Sequence, residues 1–425
     1  MFKITPKKAM SAFFLFLVTT ILAACSGGSG SGTAATPSAS GATNFSVAAT
    51  TQSIRHVFVI TLENENYATT FGAASKAPYL SQTLTKQGAQ LTQYYGTGHV
   101  SLDNYIAMIS GQPATNQTAS DCQIYQDFAQ TGTTADGLPQ GSGCVFPAAV
   151  KTLPDQLTAA GYTWKGYMGD MGNDPTRESV TCGHPTLNTQ DKTQIAEAPS
   201  TAVPLGDQYA TRHNPFMYFH SIIDSAGCAQ NVVNLNALQQ DLKAVNTTAN
   251  LTFITPSLCD DGHDSPCVDG RPGGLVSADA FLQKWVPIIT ASPAYKQDGL
   301  LIINFDESSY ASITVNPTTH AYSVAFTGTA CCNQQPGPNL SVRPITEALA
   351  PGYSITYGNF GGDNTGAVLL SQFIKPGTVS STPYNHYSLL KSIEDIFQLG
   401  YLGYAGQTGL VGFGSDIYTA PASHS

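Results

Sequence analysis

Three continuous apolar runs that each end in acid constrain this chain more than any other feature. "HVFVITL" (56–62) runs into Glu63 and Asn64. "LTFITPSL" (251–258) runs through Cys259 into Asp260, Asp261, Gly262, His263 and Asp264, and "GLLIINF" (299–305) runs into Asp306 and Glu307. Short unbroken apolar runs are the mark of strands buried on both faces. Helix-like stretches such as "TLPDQLTAAGY" and "SADAFLQKWVPIITASP" lie between them. Strands alternating with helices predict an α/β fold around a mostly parallel sheet, and ligands gather at the carboxyl ends of such strands.

Taken singly, an acid after a strand often only caps the next helix. Glu63 and Asn64 can do this for "NENYATTFG", and Asp306-Glu307 can simply open a turn. Delivered together to one sheet edge, the carboxylates repel one another unless protons or a cation compensate. A hard divalent cation with oxygen ligands is the economical solution. Two helical segments join this set. "YNHYSLLKSIEDIFQLG" (384–400) is apolar at 389, 390, 393, 396 and 397 and closes at Gly400, which puts His386 at a helix start. "HVSLDNYIAMISG" (99–111) reads as a short helix with Ser101 at its cap and Gly111 as its stop. By itself Ser101 is a cap; beside a metal-holding sheet edge it is a candidate nucleophile.

The ends of the chain carry separate signals. Lys3, Lys7 and Lys8 precede the apolar "AFFLFLVTTILAA", which is of signal-peptide length and short for a membrane span. It ends in "LAAC", which is similar to a lipobox, so residues 1–24 are expected to be removed and Cys25 lipidated. Ser26 is not the Asp tied to inner-membrane retention, which favours an outer-membrane or surface location. The Gly/Ser/Thr-rich residues 25–51 read as a flexible tether. Residues 52–425 are expected to form one domain with loop-rich excursions near 112–150 and 310–362.

A net charge of -10 without a Lys/Arg-rich run argues against nucleic acid as a partner, leaving the lipid anchor as the link to a membrane. Eight cysteines besides Cys25 favour disulfides in an exported chain over metal-binding thiols. Cys259 and Cys267 are spaced to staple one loop, while the adjacent Cys331 and Cys332 are expected to pair with two different partners.

Six blocks in order now resemble a known family. "IRHVFVITLENENYATTFG", "GHVSLDNYIAMISG", "PSLCDDGHD", "LLIINFDES", "TGAVLLSQFIKPGT" and "YNHYSLLKSIEDIFQLG" are similar to the bacterial phosphoesterase family of acid phosphatases and non-haemolytic phospholipases C. The resemblance implies an alkaline phosphatase-like fold, a three-layer α/β sandwich with a central, mostly parallel sheet. It implies that Glu63, Asn64, Asp306 and Glu307 ligate one divalent metal (Ca, Mg or Mn). Ser101 matches the nucleophile, which also touches that metal. His263 and His386 match histidines that hold the phosphate. Asp260, Asp261 and Asp264 lie where some relatives keep second-site ligands. Two departures stand out: "ENENY" replaces "ENRSF", removing a basic residue, and "HVSLDNY" replaces "HPSLPNY", putting Val100 and Asp103 in place of prolines.

The implied reaction is hydrolysis of a phosphate monoester through a phosphoserine. His99, His263 and His386, if cationic, would bind phosphate or protonate the leaving oxygen, and Asn104 would donate to a phosphate oxygen. Reliance on imidazolium predicts an acidic pH optimum; a rate rising steadily to pH 9 would refute it. The alternatives are phospholipase C-type phosphodiester cleavage and, from another class, a non-catalytic surface-binding lipoprotein. The sequence needed to make formylglycine is absent, as is a Gly-x-Ser-x-Gly elbow.

Overall fold

The computed structural model describes residues 53–418, so the leader, Cys25 and the whole of the tether lie outside the described residues. The first strands in chain order are β1 (His56–Leu62), β2 (Ala89–Leu91), β3 (Trp164–Met168), β4 (Val232–Asn234), β5 (Leu251–Thr255) and β6 (Gly299–Phe305). Then come β7 (Ser312–Val315), β8 (Tyr322–Phe326), β9 (Ile345–Ala350), β10 (Tyr353–Tyr357), β11 (Ala367–Ser371) and β12 (Thr378–Ser380). The main helices are α1 (Ser101–Ser110), α2 (Leu153–Ala159), α3 (Gly274–Ala291) and α4 (His386–Phe397).

The central sheet runs β12-β2-β11-β6-β1-β5-β3-β4. Among the described residues its only antiparallel pairings are those of β11 with β6 and β2. Every residue of β1, β5 and β6 is buried, as their unbroken apolar runs predict. Their side chains alternate between two cores. Val57, Val59, Leu251, Phe253, Leu300 and Ile302 pack with α1, α2 and α4. Phe58, Ile60, Ile254, Leu301 and Ile303 pack with α3. The result is the expected three-layer α/β sandwich. β5 is shorter than its apolar run, because Pro256 has no N–H to continue the ladder.

The region 310–362 folds into a second, four-stranded sheet, β7-β8-β10-β9, around Val324, Phe326, Ile355 and Tyr357. At 112–150 the chain forms a hairpin of Ala129–Thr133 with Pro139–Ser142. α4 stops earlier than Gly400: Gln398 turns left-handed at φ 57°, and its N–H returns to Glu394 and Asp395 carbonyls. Gly111 ends α1 at φ 66°, where a Cβ would fall 2.2 Å from the Leu402 carbonyl oxygen. Four disulfides join Cys122–Cys144, Cys182–Cys228, Cys259–Cys267 and Cys331–Cys332. The 259–267 staple agrees with its spacing. Cys331 and Cys332 bond to each other rather than to two partners, because the other six cysteines already pair among themselves. No helix among the described residues is long and apolar enough to cross a membrane.

Candidate active site

The strand register builds the centre. Leu62 lies opposite Phe305 across the parallel β1–β6 pair, so the chain delivers Glu63 and Asp306 side by side. Backbone bonds fix them there: Asp306 N–H donates to the Leu62 carbonyl (2.9 Å) and Glu63 N–H to the Asp261 carbonyl (2.8 Å). Asn64 turns left-handed at φ 56°, and its N–H donates to Asp306 Oδ1 at 3.1 Å. Glu63, Asp261 and Asp306 are all fully buried.

α1 brings Ser101 onto this cluster. Its Oγ donates to Glu63 Oε2 at 2.9 Å, and one turn later Tyr105 donates its hydroxyl to Glu63 Oε1 at 2.5 Å. Val100 occupies the cap position, so Ser101 is the first helical residue and its hydroxyl is released from capping. The next residue's N–H donates to Asp121 Oδ1 at 3.0 Å, a contact held in place by the neighbouring Cys122–Cys144 disulfide. Asn104 braces the turn into α1: its Oδ1 accepts from Thr97 and Gly98 N–H, and its Nδ2 donates to the Gly98 and Val100 carbonyls. That amide is fully buried and faces the protein, a bracing position that differs from a phosphate contact.

Two residues in the centre escaped sequence reading. The turn Thr211–His213 inserts a fully buried His213 whose Nε2 lies 3.4 Å from Glu63 Oε2 and whose Nδ1 lies 3.2 Å from Asp261 Oδ2. Its ring stacks on Tyr105 with centroids 5.3 Å apart. The neighbouring Arg212 is buried too, with its Nε 3.6 Å from Asp121 Oδ2 and a terminal nitrogen 3.4 Å from His263 Nε2. It brings a basic group to the centre of a chain whose "ENENY" stretch carries none. No apolar run leads into either residue, so pattern had nothing to mark them; "RHNPF" offered only an Arg-His pair before a proline turn.

The electrostatics of the cluster are unbalanced. Burial, then the charges of Asp306 and Asp261, hold the Glu63 carboxyl well above the usual range. Burial likewise raises Asp261, and lifts Asp306 to about 6. Burial and the nearby Arg212 and His263 keep His213 neutral. Asp306 Oδ2 and Asp261 Oδ2 are shielded from water without a hydrogen-bond partner, as are both His213 nitrogens. Orphaned carboxylate oxygens converging with a neutral imidazole are the donor set a divalent cation satisfies. One oxygen or nitrogen each from Glu63, Asp261 and His213 fall within 4.8 Å of one another. The residues therefore fit a metal.

The remaining expected residues divide. Glu307 turns to His99, whose Nδ1 it engages, while His99 Nε2 lies 3.1 Å from Asp363 Oδ2. Burial pushes His99 down, but the two carboxylates outweigh it and lift the imidazole to about 9. Glu307 itself is raised by burial to about 7, against the pull of His99. His386 is also buried, between the Tyr94 hydroxyl (2.9 Å) and the Asp306 carbonyl (2.5 Å). Burial lowers it to about 4, so it is a neutral hydrogen-bonding link behind the centre rather than an imidazolium. His263 keeps an open edge, with Nδ1 on Asp264 Oδ1 at 2.9 Å. Asp260 points away from the cluster to Arg271 and Ser257.

A three-layer α/β sandwich thus gathers a serine and several buried carboxylates at the ends of its parallel strands. The chain belongs to the phosphoesterase family, whose model matches residues 75–400; Glu63 and Asn64 precede that stretch. It is 26% identical over 248 residues to a phosphate-repressible acid phosphatase of Penicillium chrysogenum, across 58% of this chain and 47% of that protein. It is 23% identical over 265 residues to a phosphatidylinositol-3-phosphatase of Mycobacterium tuberculosis, across 62% and 67% respectively. The chain thus spans about half the length of the fungal relative. Among solved structures it is similar to an alkaline phosphatase superfamily protein of Vibrio parahaemolyticus, with TM-score 0.44, 11% identity, and 81% and 67% of the two chains covered.

Proposed function

We propose that this chain is an exported, metal-dependent acid phosphatase that hydrolyses phosphate monoesters through Ser101. The observation that carries the reading is the Ser101 hydroxyl hydrogen-bonded at 2.9 Å to Glu63 inside a group of buried, under-compensated carboxylates. Family membership and the acid phosphatases among its relatives support the same reaction class. Four disulfides support an oxidising compartment, and with the "LAAC" motif support export of a chain anchored through Cys25.

A divalent ion held by Glu63, Asn64 and Asp306, with Asp261 and His213 beside them, would supply charge stabilisation for the phosphate and the serine oxygen. Ser101 Oγ attacks phosphorus as its proton leaves toward Glu63 Oε2; the ester P–O bond breaks and the leaving oxygen takes a proton. His263, open at one edge, is placed to give that proton, and Arg212 stands next to it to receive phosphate oxygens. Water, giving up a proton to His263, then cleaves the Ser101–phosphate bond, and the serine oxygen takes back its proton from Glu63. Asn104, Glu307 and His99 act through position, by holding the turn before α1.

Hydrolysis of p-nitrophenyl phosphate and of its phosphocholine diester, with and without chelator, tests this. Monoester cleavage is expected to dominate, to be lost with EDTA, and to fall on the order of 10³-fold or more in Ser101→Ala. Preferred diester cleavage would move the protein to the phospholipase C side. Equal activity in variant and wild type would refute the nucleophile and favour a binding role.

A further inference from the structure

Glu63 is held at both of its oxygens, and the two grips differ. Ser101 Oγ, Asn64 Nδ2 and His213 Nε2 all face Oε2, at 2.9, 3.1 and 3.4 Å. Oε1 meets the Tyr105 hydroxyl, which donates to it at 2.5 Å. Ser101 and Tyr105 stand four residues apart on α1, so one helix face hands a hydroxyl to each oxygen. The groups able to join Glu63 around an ion therefore gather at Oε2. Oε1 is turned instead to a phenol that brings a proton.

Packing fixes Tyr105 in this place. Its side chain is fully buried, its ring stacks on His213 at 10° and 5.3 Å, and it leans on Phe253 of β5 at 6.5 Å. The bond to Glu63 is the only hydrogen bond of its hydroxyl among the described residues. Short O–H···O⁻ bonds to an ionised acceptor are among the strong ones. An ion that took both Glu63 oxygens would have to displace the phenol and leave its hydroxyl buried without a partner, which is costly.

Divalent cations differ on this point. Ca²⁺ takes about six to eight oxygens in a flexible shell and often both oxygens of one carboxylate. Mg²⁺ demands near-octahedral order, which the narrow bite of a two-oxygen carboxylate does not suit. The imidazole of His213 in the donor set points the same way, since Ca²⁺ is bound through oxygen.

We propose that Tyr105 is a positioning residue that fixes Glu63 as a one-oxygen ligand and so sets the centre for a small octahedral cation, Mg²⁺ or Mn²⁺, against Ca²⁺. This rests on the reading of the centre as a metal site and does not depend on which phosphate ester is cleaved.

The test titrates EDTA-stripped, dialysed protein calorimetrically with the chlorides of Mg²⁺, Mn²⁺ and Ca²⁺. Wild type is compared with Tyr105→Phe, which keeps the ring stack and removes only the hydroxyl. Wild type is expected to bind Mg²⁺ and Mn²⁺ more tightly than Ca²⁺. In Tyr105→Phe the Mg²⁺ affinity should fall about tenfold, the size typical of a lost supporting bond to a metal ligand. Ca²⁺ affinity should hold or rise, so the Mg²⁺/Ca²⁺ preference falls by at least that factor. Tighter binding of Ca²⁺ by wild type overturns the proposal without any variant, as does a preference unchanged in Tyr105→Phe. A purely structural Tyr105 would lower the melting temperature of the stripped protein and weaken all three ions equally, which overturns it too. If the ions bind and only the preference fails, Tyr105 loses its role while the metal reading stands. If wild type binds none of the three ions, both fall.

Discussion

The two sheets both reach the centre, by different means. The central sheet contributes side chains at the ends of strands: Glu63 after β1, Asp306 after β6 and Asp261 in the turn after β5. Parallel strands in register end at one edge, so their next residues converge without further arrangement. The small sheet contributes none of those carboxylates. It holds His99 from the side, through the Phe326 stack and through Asp363, which accepts from Gly328 and Thr329 N–H at 2.8 and 2.7 Å. One sheet places charge, and the other fixes the direction of a residue that touches Glu307. Side chains on strand ends should therefore decide whether the reaction occurs, while small-sheet contacts should only scale it.

Asp306→Asn should give the largest effect. It removes the charge that two backbone N–H groups orient and leaves the fold's hydrogen bonds to Oδ1 in place. Groups that merely orient a metal ligand typically cost about 10–100-fold when lost, so this change should cost at least about 100-fold in kcat/KM. Metal content measured on the purified variant should fall with it. Full activity with full metal content would break the assignment of the strand ends.

Asp363→Asn comes next. Asn keeps an acceptor for Gly328 or Thr329 but removes the charge that pairs with His99 Nε2. As a positioning residue it should lower kcat about tenfold with KM nearly unchanged, within the lower part of the range for such supporting groups. Loss as deep as that of Asp306→Asn would erase the distinction between the two sheets.

The central-sheet half of the centre was legible because its signal is local. An apolar run marks each strand, and the acid follows at once, so Glu63, Asp261 and Asp306 could be named from spacing. The cap of α1 was displaced by only one residue. The other half depends on long-range placement. His213 and Arg212 arrive on a short turn fixed by Asp121, some ninety positions earlier, and carry no periodicity. The small sheet reads as loop in the sequence because its strands are half-exposed and rich in Tyr, Thr and Ser, so alternation is weak. Burial also reversed one expectation that residue type alone suggested. His99 and His386 look alike in sequence, yet two carboxylates make one a cation and a carbonyl with a tyrosine hydroxyl keeps the other neutral.

A buried carboxyl away from both sheets' contributions to the centre tests whether such a shift needs either of them. Glu394 lies in the last turn of α4, fully buried, with one oxygen accepting from Leu402 N–H at 2.9 Å. Burial raises it to about 8, with Asp395 adding to the effect and Lys391 opposing it. The unfolded carboxyl titrates near 4.5, so folding takes up a proton between the two values. The stability this group contributes is fully present below about pH 4.5 and is lost as pH rises through about 8. Glu394→Gln keeps the acceptor for Leu402 and removes the titration. Its melting temperature should match wild type at pH 4.5 and exceed it by about 2–4 °C at pH 8.5. The kcat on p-nitrophenyl phosphate should not change, since neither sheet's contribution to Ser101 runs through this side chain. An equal shift at both pH values would mean that lost packing, rather than an ionisable buried carboxyl, sets the stability of α4.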